Sequence, residues 1–483
     1  MLRAPIIIAR AAIGLGICLV ACGGNDDDVK SGVTATGDVV DATEADSAKS
    51  DVPGPGDTDS NAAQDTSVES DSGTSAFDAA TDTGPAAIEK CENFQDDDGD
   101  GLIDEGCYPA PNLRGDQQWI DMGVHEVKPS DATGPKVKFT LPANGHRGTA
   151  VARDVSKPHV MVAGDWLTHP NGQHILGPSE WSKAPGRGAG GLGGATLFFG
   201  SSNVTTLAQG TWTAGFRRTH NLSNSGPGPL QAGFIHVGAL LSKPAKPAAA
   251  IDLDIYLLGG QPQPAKTMAS SVLWSRIRAR VNAIWKPAGI AVGKVTFTDI
   301  GGSDGQKFLH VDNVLAVDDT NELNTLWSLG AKLKPASTAV ALYIVSSLNH
   351  AGQAAAAGIT GQIGGVNGLA GNRLSGIALS MSATTVKKFH ATDPSAKLAG
   401  AYFGDRLAHE IGHHLGLWHT TERPGDLHDL VTDTAECALK SGHSMVLAEH
   451  CPKSGDNLMF WAPKGTSISA GQAKVSRRHG SIH

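Results

Sequence analysis

Apolar and polar residues alternate in two different patterns along the second half of this chain. Four segments have the alternation or the short apolar run of a β-strand: residues 251–258, 289–298, 338–346 and 374–382. Four segments are predicted as helices: residues 271–285, 320–329, 397–415 and 466–478. Strands that alternate with helices favour a mainly parallel sheet covered by helices. We therefore expect one α/β domain over residues 250–483.

Residues 112–248 have a different pattern, in which short β-prone runs are separated by glycine, proline and other turn residues. The runs cover residues 137–141, 159–163, 195–199 and 232–237. Short strands at such spacing are typical of a β-sandwich. This predicted domain could bind substrate, cover the active site as a prodomain or serve only for packing, and the sequence leaves these alternatives open.

Residues 1–21 have the features of a secretory signal peptide. Arg3 and Arg10 flank an apolar run that is too short to span a membrane, and the segment ends in Leu-Val-Ala before Cys22. This ending resembles the bacterial lipobox, in which the cysteine is lipidated and becomes the new N-terminus. An ordinary signal peptide cleaved nearby is the alternative. The resemblance implies an extracytoplasmic protein with a lipid anchor at Cys22, held at the outer membrane or cell surface.

Residues 22–90 are rich in Asp, Ser, Thr, Gly and Ala and contain few large apolar residues. From position 23 to position 107 there are 23 acidic and 3 basic residues, whereas the whole chain has a net charge of -9. A segment of this composition buries too little apolar surface to offset the entropy cost of ordering, so we predict a disordered acidic linker. The negative charge is therefore concentrated in the linker, and the rest of the chain is mildly basic.

Residues 91–107 form an acidic segment bounded by two cysteines. Asp96, Asp98 and Asp100 alternate and are followed by glycine, a spacing that suits Ca²⁺, which takes about six to eight oxygen ligands. The twelfth position of the loop is cysteine instead of glutamate, so the segment is not an EF-hand. It is more similar to the short calcium loops of thrombospondin type 3 or dockerin repeats, with Asp104 or the glutamate after it completing the ligand set. A solvated acidic turn is the alternative.

Four cysteines follow the lipobox, and in an exported protein they are expected to form disulfides. Cys91 most simply pairs with Cys107, and Cys437 with Cys451, although four cysteines allow three pairings. Both disulfides are therefore predictions about connectivity.

The strongest chemical signal is the segment HEIGHHLGLWH, which begins at His409. His409 and His413 lie on one face of a predicted helix, Gly416 allows the helix to end, and the returning chain brings His419 to the same place. Three imidazoles leave one position of a zinc ion open for water, which is typical of a catalytic site. Glu410 stands beside the first ligand, where it can accept the proton of that water.

This segment, followed by Asp-Asn-Leu-Met at 456–459, resembles the metzincin metallopeptidases. Residues 432–437 and 456–461 are similar, more narrowly, to the pappalysin-like branch. The resemblance implies a zincin fold with a twisted mixed sheet, an active-site helix and Met459 in a Met-turn beneath the ligands. It also implies that an edge strand within residues 359–381 pairs with the substrate backbone. Trp461 departs from the pattern of metzincins that carry a tyrosine two places after the Met-turn methionine.

These features together predict a zinc metalloendopeptidase with Glu410 as general base, anchored outside the cytoplasm and acting on a protein or peptide. A surface binding or adhesion protein with a structural zinc site is one alternative, and a zinc hydrolase that acts on a non-peptide substrate is another. No glycine-rich phosphate loop or basic aromatic patch stands out in the sequence, so nucleic acid is not an expected partner.

Overall fold

The computed structural model of the chain describes residues 20–21, 89–98, 102–104, 106–131, 133–156, 160–177, 189–220, 222–223, 226–259, 264–314, 316, 320–369, 373–381, 395–462 and 464–483. These residues belong to one unit, which comprises residues 1–25 and 88–483. Three residues predicted to be functional, Cys22, Asp100 and Glu105, lie outside the described residues, as do residues 22–88 of the predicted linker.

The first half of the described chain is built of β-strands. The strands are β1 Val20–Ala21, β2 Gln117–Val127, β3 Lys136–Leu141, β4 Arg147–Asp154, β5 Met161–Thr168, β6 His174–Leu176, β7 Ala189–Leu192, β8 Gly194–Phe198, β9 Gly210–Thr219, β10 Leu222–Ser223, β11 Gly226–Pro227 and β12 Gly233–Ser242. Eight of these strands form a continuous antiparallel sheet in the order β2-β12-β4-β8-β7-β5-β9-β3. β6 pairs with β5 of this sheet, and β10 pairs with β11 in a separate two-stranded sheet. We call residues 112–248 the β-region.

The alternation of side chains explains the sheet of the β-region. In β3, Val137, Phe139 and Leu141 are buried and the residues between them are exposed, as the period of a strand requires. Inward residues of the other strands join these three in one core, which includes Phe199 stacked on Trp212 with ring centroids 5.0 Å apart. The strands of the predicted sandwich are thus joined by hydrogen bonds in one continuous sheet around a shared core.

The second half of the chain mixes strands and helices. The strands are β13 Ala249–Leu258, β14 Ile290–Ile300, β15 His310–Val311, β16 Val340–Val345, β17 Ser347–His350, β18 Gln353–Ala356, β19 Gly358–Thr360 and β20 Gly376–Ser380. The helices are α1 Ala265–Ala269, α2 Val272–Trp285, α3 Gly302–Lys307, α4 Leu323–Leu333, α5 Ser395–His414, α6 Pro452–Gly455 and α7 Ala470–Arg477. Short 3-10 turns lie at Lys286–Ala288, Arg373–Ser375 and Ala448–His450.

Within the described residues, the main sheet of this half has the strand order β1-β19-β20-β16-β13-β14. The pairs β13–β14, β13–β16 and β16–β20 are parallel, whereas β19 runs antiparallel to β20 and β1 runs antiparallel to β19. The expectation of a mixed, mainly parallel α/β arrangement is confirmed. β19 is the last strand of residues 250–483 on this side of the sheet and lies beside α5.

Helices cover both faces of the sheet because each has one apolar side. α2 buries Trp274, Ile277, Val281 and Trp285 in a core that it shares with α5, while α4 packs on the opposite face. Burial of each large apolar side chain of this kind contributes roughly 1.5–3 kcal/mol. The Ser271 hydroxyl accepts a hydrogen bond from the backbone N–H of Trp274 at 3.0 Å and so fixes the start of α2.

The C-terminal helix is shorter than the predicted 466–478. It begins at Ala470 because Ser469 and Gln472 form a capping box. The backbone N–H groups of Thr466 and Ser467 instead donate to the carbonyl oxygen of Asp456, which joins this part of the chain to the loop before it. Among the described helices, none is both long and apolar enough to cross a membrane.

Candidate metal centre

The helix α5 ends in a turn that redirects the chain toward the site. The N–H of Gly416 donates to the carbonyl oxygen of His413 at 2.9 Å, and the N–H of Leu417 donates to that of Gly412 at 2.9 Å. This pair of bonds is a Schellman motif, and its C′ residue, Gly416, has φ +90°. Because L side chains rarely adopt such a φ, glycine is needed here. The turn brings His419 back to the histidines of the helix.

Three histidines meet at this point. His413 Nε2 lies 3.0 Å from His409 Nε2 and 3.2 Å from His419 Nε2. The three residues are between 0% and 4% exposed. The sequence predicted that these residues would converge, and the structure brings all three together as a group that could hold a metal ion.

The second nitrogen of each ring is held by an acceptor. His409 Nδ1 donates to the carbonyl oxygen of Leu458 at 2.6 Å, and His413 Nδ1 donates to that of Leu417 at 2.7 Å. His419 Nδ1 lies 2.9 Å from a carboxylate oxygen of Glu422. Because a carbonyl or a carboxylate can only accept here, each Nδ1 carries the hydrogen and each Nε2 presents a lone pair to the centre.

Burial keeps the helical histidines neutral. It lowers the pKa of His409 to about 3, an effect to which the neighbouring His419 adds. Burial also holds the pKa of His413 well below its usual range, with His409 and His419 adding to the effect. Neutral imidazole is the form that binds a metal ion. The environment therefore favours the ligand form of both side chains over a broad range of pH.

Zinc fits this arrangement. The Nε2 lone pair of His413 faces those of His409 and His419 at 3.0 and 3.2 Å, and such lone pairs repel unless a proton or a cation lies between them. Because each ring carries its hydrogen on Nδ1, a cation is the group that suits this position. Nitrogen ligands about 2.0–2.1 Å from a tetrahedral zinc ion stand roughly 3.3 Å from each other. The spacing of the Nε2 atoms thus matches a tetrahedral ion with three protein ligands.

Glu410 is fixed beside the triad by the edge strand β19. Its carboxylate Oε2 accepts a hydrogen bond from the Thr360 hydroxyl at 2.7 Å, and the same hydroxyl lies 2.9 Å from the Glu410 carbonyl oxygen. A Cβ atom at Gly358 would lie 2.5 Å from Glu410 Oε1. Glycine at this position therefore leaves room for the carboxylate of Glu410, a residue that is 1% exposed.

The loop at 456–459 forms the floor of the site. Met459 is fully buried, and its sulfur occupies the space that a Cβ on Gly412 would fill. Asn457 Oδ1 accepts from the Met459 N–H at 2.8 Å, and the Asn457 amide exchanges two hydrogen bonds with Gln472 of α7. The loop therefore supports the helix from below and also supplies Leu458, whose carbonyl orients His409.

Trp461 takes part in a separate cluster. Its indole N–H donates to the carbonyl oxygen of Val446 at 2.7 Å, and the ring packs near Phe460 and the disulfide Cys437–Cys451. The Trp461 side chain thus stabilises the loop that follows His419. The same loop is joined to the site through the Cys437 N–H, which donates to the Thr421 hydroxyl at 3.1 Å.

An extended segment already pairs with the edge strand. β1 runs antiparallel to β19, with Val20 opposite Thr360 and Ala21 opposite Ile359. The pairing shows that the outer side of β19, next to Glu410, presents backbone groups to a peptide in extended conformation.

The acidic segment brings two of the predicted ligands together. Asp96 and Asp98 come together with Glu89, a residue that the sequence did not indicate, in a group that could hold a metal ion. Asp104 is fully buried, and its carboxylate accepts from the Phe94 N–H at 3.2 Å. The predicted disulfide Cys91–Cys107 is formed, as is Cys437–Cys451.

Two supporting residues of the histidine centre were also missed by sequence reasoning. Glu422 lies three residues after His419, and a carboxylate at that spacing is a signal that could have been used. Thr360 lies 50 residues before Glu410, and nothing in the sequence connects the two.

Comparison with known proteins gives weak structural likenesses. The chain matches no protein-family model and no curated protein. Metalloproteinase-II from Bacteroides fragilis is similar at 14% identity over 49% of this chain and 60% of its own, with a TM-score of 0.25. A serine protease from Aeromonas sobria in complex with its chaperone gives 12% identity over 26% of each chain, with a TM-score of 0.14. A family two carbohydrate esterase from Cellvibrio japonicus gives 11% identity over 50% of this chain and 79% of its own, with a TM-score of 0.10. The chain thus spans less than two thirds of the length of the Bacteroides protein, and TM-scores below 0.5 do not establish a shared fold.

Proposed function

We propose that this protein is a zinc-dependent endopeptidase of the metzincin type, closest in its motifs to the pappalysin-like branch. The observation that carries the proposal is the placement of three convergent imidazoles and the Glu410 carboxylate directly beneath the edge strand β19. His409, His413 and His419 would hold the zinc ion. When bound, zinc would polarise the scissile carbonyl and lower the pKa of a water molecule to about 7.

The edge strand β19 binds and orients the substrate in this proposal. A peptide in extended conformation would pair antiparallel with Gly358–Thr360, as β1 does within the same chain. Backbone pairing of this kind is independent of side-chain identity and positions one peptide bond beside Glu410. The substrate class is therefore a polypeptide in extended conformation.

Glu410 moves the proton. Its carboxylate accepts a proton from the water that attacks the scissile carbonyl, and it then gives that proton to the leaving amine. Thr360 donates to one carboxylate oxygen at 2.7 Å and thereby fixes the orientation of the group. The reaction consumes one water molecule and yields a new carboxyl end and a new amino end.

The composition of the site distinguishes this proposal from a binding protein with structural zinc. Structural zinc sites almost always use four protein ligands. In the part of the chain that the structure describes, the candidate group at this centre consists of three histidines. A structural zinc site would also not require the Glu410 carboxylate, which the Thr360 hydroxyl holds in a fixed orientation.

We also propose that the protein is exported and anchored through a lipid on Cys22. The support is the sequence pattern of residues 1–22. Cleavage before Cys22 would remove Val20 and Ala21, so that the outer side of β19 would become available to a substrate peptide.

The proposed function is tested by the response of peptide cleavage to metal. Purified protein that begins at residue 23 is incubated with a mixed peptide library, with a zinc chelator, and with chelator followed by excess zinc. Cleavage that is lost on chelation and restored by zinc supports the proposal. Cleavage that continues at full rate after the metal has been removed would exclude a zinc peptidase.

A further inference from the structure

Two adjacent phenylalanines at the end of β8 point into different cores. Phe199 is fully buried in the core of the β-region, where it stacks on Trp212. Phe198 is 6% exposed and belongs to the core formed by α2, α5 and the main sheet. Among the described residues of that core, Phe198 is the only one that precedes position 245. Within the described residues, the β-region thus contributes one large side chain to the core that α5 shares with α2 and the main sheet.

The ring of Phe198 lies against the turn that ends the active-site helix. A Cβ atom at Gly416 would lie 2.5 Å from Phe198 Cδ1, and one at Gly364 would lie 3.0 Å from Phe198 Cβ. The N–H groups of Gly364 and Gly416 both donate to the carbonyl oxygen of His413, at 3.0 and 2.9 Å. Phe198 therefore fills the space left by two glycines that together hold the last turn of α5.

This turn connects two of the metal ligands. Leu417, the residue after Gly416, supplies the carbonyl that receives His413 Nδ1–H at 2.7 Å. Two residues later the chain reaches His419. Any displacement of Gly416 therefore changes the orientation of His413 and the approach of His419 at the same time.

We propose that Phe198 is a positioning residue of the metal centre and that the β-region is a permanent part of the zinc site. The inference rests on the proposed function. Glycine has the greatest conformational freedom of any residue, so a turn built on Gly416 needs external packing to hold one geometry. Phe198 supplies that packing from outside residues 250–483.

Other contacts join the β-region to the same part of the molecule. The Thr196 hydroxyl donates to the carbonyl oxygen of Ile363 at 3.0 Å, next to Gly364. The buried Arg147 guanidinium donates to the carbonyl oxygens of His479 and Ile482, both at 2.8 Å. Of the alternatives that the sequence left open for residues 112–248, these contacts argue against a prodomain that is removed to activate the enzyme.

The test compares zinc affinity in full-length variants of the two phenylalanines. Zinc affinity is measured by competition with a chromophoric chelator, and folding is followed by thermal denaturation. We expect Phe198→Ala to weaken zinc binding by about 10-fold or more, in the range found when groups that orient metal ligands are lost. Phe198→Leu, which keeps part of the packing, should recover most of the affinity.

Phe199→Ala is the matched control. It removes a ring of the same size from the next position in the chain, but from the core of the β-region. It should lower the melting temperature while zinc affinity stays within about twofold of the parent. If Phe198→Ala is unfolded, Phe198→Leu and Phe199→Leu are compared in the same way.

The outcomes separate this inference from the proposed function. A parent protein that binds no zinc would contradict the proposed function. Zinc binding by the parent that is equally tight in folded Phe198 variants, or equally weakened by the Phe199 variants, would overturn the positioning role of Phe198.

Discussion

The two candidate metal sites of this protein differ in how their ligands are held. At the histidine centre, the ligands are between 0% and 4% exposed and each Nδ1 is held by an acceptor. In the acidic segment, Asp96 and Asp98 are exposed, and Glu89 accepts hydrogen bonds from the backbone N–H groups of Asp97, Asp98 and Asp104. Hydrogen bonds orient each ligand of the first site, whereas the second site uses one of its carboxylates to hold its own loop.

The contrast shows why motif spacing is not enough to define a site. Both segments have ligands at suitable spacing in the sequence, but only the histidine segment is built into the core of the fold. A site whose ligands are already oriented loses less entropy on binding and can impose a geometry on the ion. We therefore expect the histidine centre to respond strongly to single substitutions and the acidic segment to respond weakly.

The largest effect is expected from Glu410→Gln. The variant keeps an oxygen that can accept from the Thr360 hydroxyl but cannot take a proton from water. Peptide cleavage should fall by about 10²–10⁴-fold, the usual contribution of a general base, with zinc content unchanged. The rate constant and the zinc content are measured on the same preparation. Activity close to that of the parent would remove Glu410 from the mechanism.

The next effect concerns Glu422, which orients His419. Glu422→Gln should weaken zinc binding by about 10–100-fold, because ligand orientation and basicity depend on this carboxylate. The control is Glu436→Gln, since the Glu436 side chain is 70% exposed and lies 3.9 Å from His428. A chelator competition that gives the same affinity for both variants would show that Glu422 does not support the site.

A smaller effect is expected from pH in the metal-free protein. Burial lowers the pKa of both His409 and His414 to about 3 in the folded state, against about 6.5 in the unfolded state. Between about pH 3 and about pH 6.5 the unfolded chain binds more protons than the folded chain. The free energy of unfolding should therefore increase as pH rises through this range and decrease as pH falls. Each group contributes up to about 1.4 kcal/mol per pH unit.

Urea denaturation at several pH values between 4 and 7 measures this slope. His414→Gln should reduce it, because that side chain is buried near the site without being one of the proposed ligands. A free energy of unfolding that stays flat over the range, for both proteins, would mean that these histidines are not buried as neutral groups.

The smallest effect is expected at the acidic segment. If Ca²⁺ binds there with the affinity of an extracellular module, Ca²⁺ at ten times its dissociation constant would stabilise the protein by about 1.4 kcal/mol. Titration calorimetry with Ca²⁺, on the parent and on Asp96→Asn with Asp98→Asn, measures the affinity. If the parent and the variant give the same heat of binding, Ca²⁺ binds at a site that does not include Asp96 and Asp98.

Local periodicity was sufficient to predict much of the α/β half. The segments that became α2, β13, β14 and β16 were found from apolar spacing, because each buries one face against the same core. The C-terminal helix was predicted too long, since Ser469 caps it at a position that apolar spacing does not reveal.

The ligands of the candidate site could be predicted because they lie within one short segment. The residues that hold the site in place could not be predicted, because they come from distant parts of the chain. Thr360 lies in an edge strand, Leu458 in the floor loop and Phe198 in the β-region. Contacts between residues so far apart in sequence arise from the tertiary fold and leave no periodic signal.

X-ray absorption at the zinc edge tests the central claim most directly. The account predicts one zinc ion per chain, with three imidazole nitrogens at about 2.0–2.1 Å and one light-atom ligand from solvent. The imidazole signal should disappear in His413→Ala. A spectrum with sulfur ligands, with four protein ligands, or unchanged in that variant would contradict a catalytic zinc held by His409, His413 and His419.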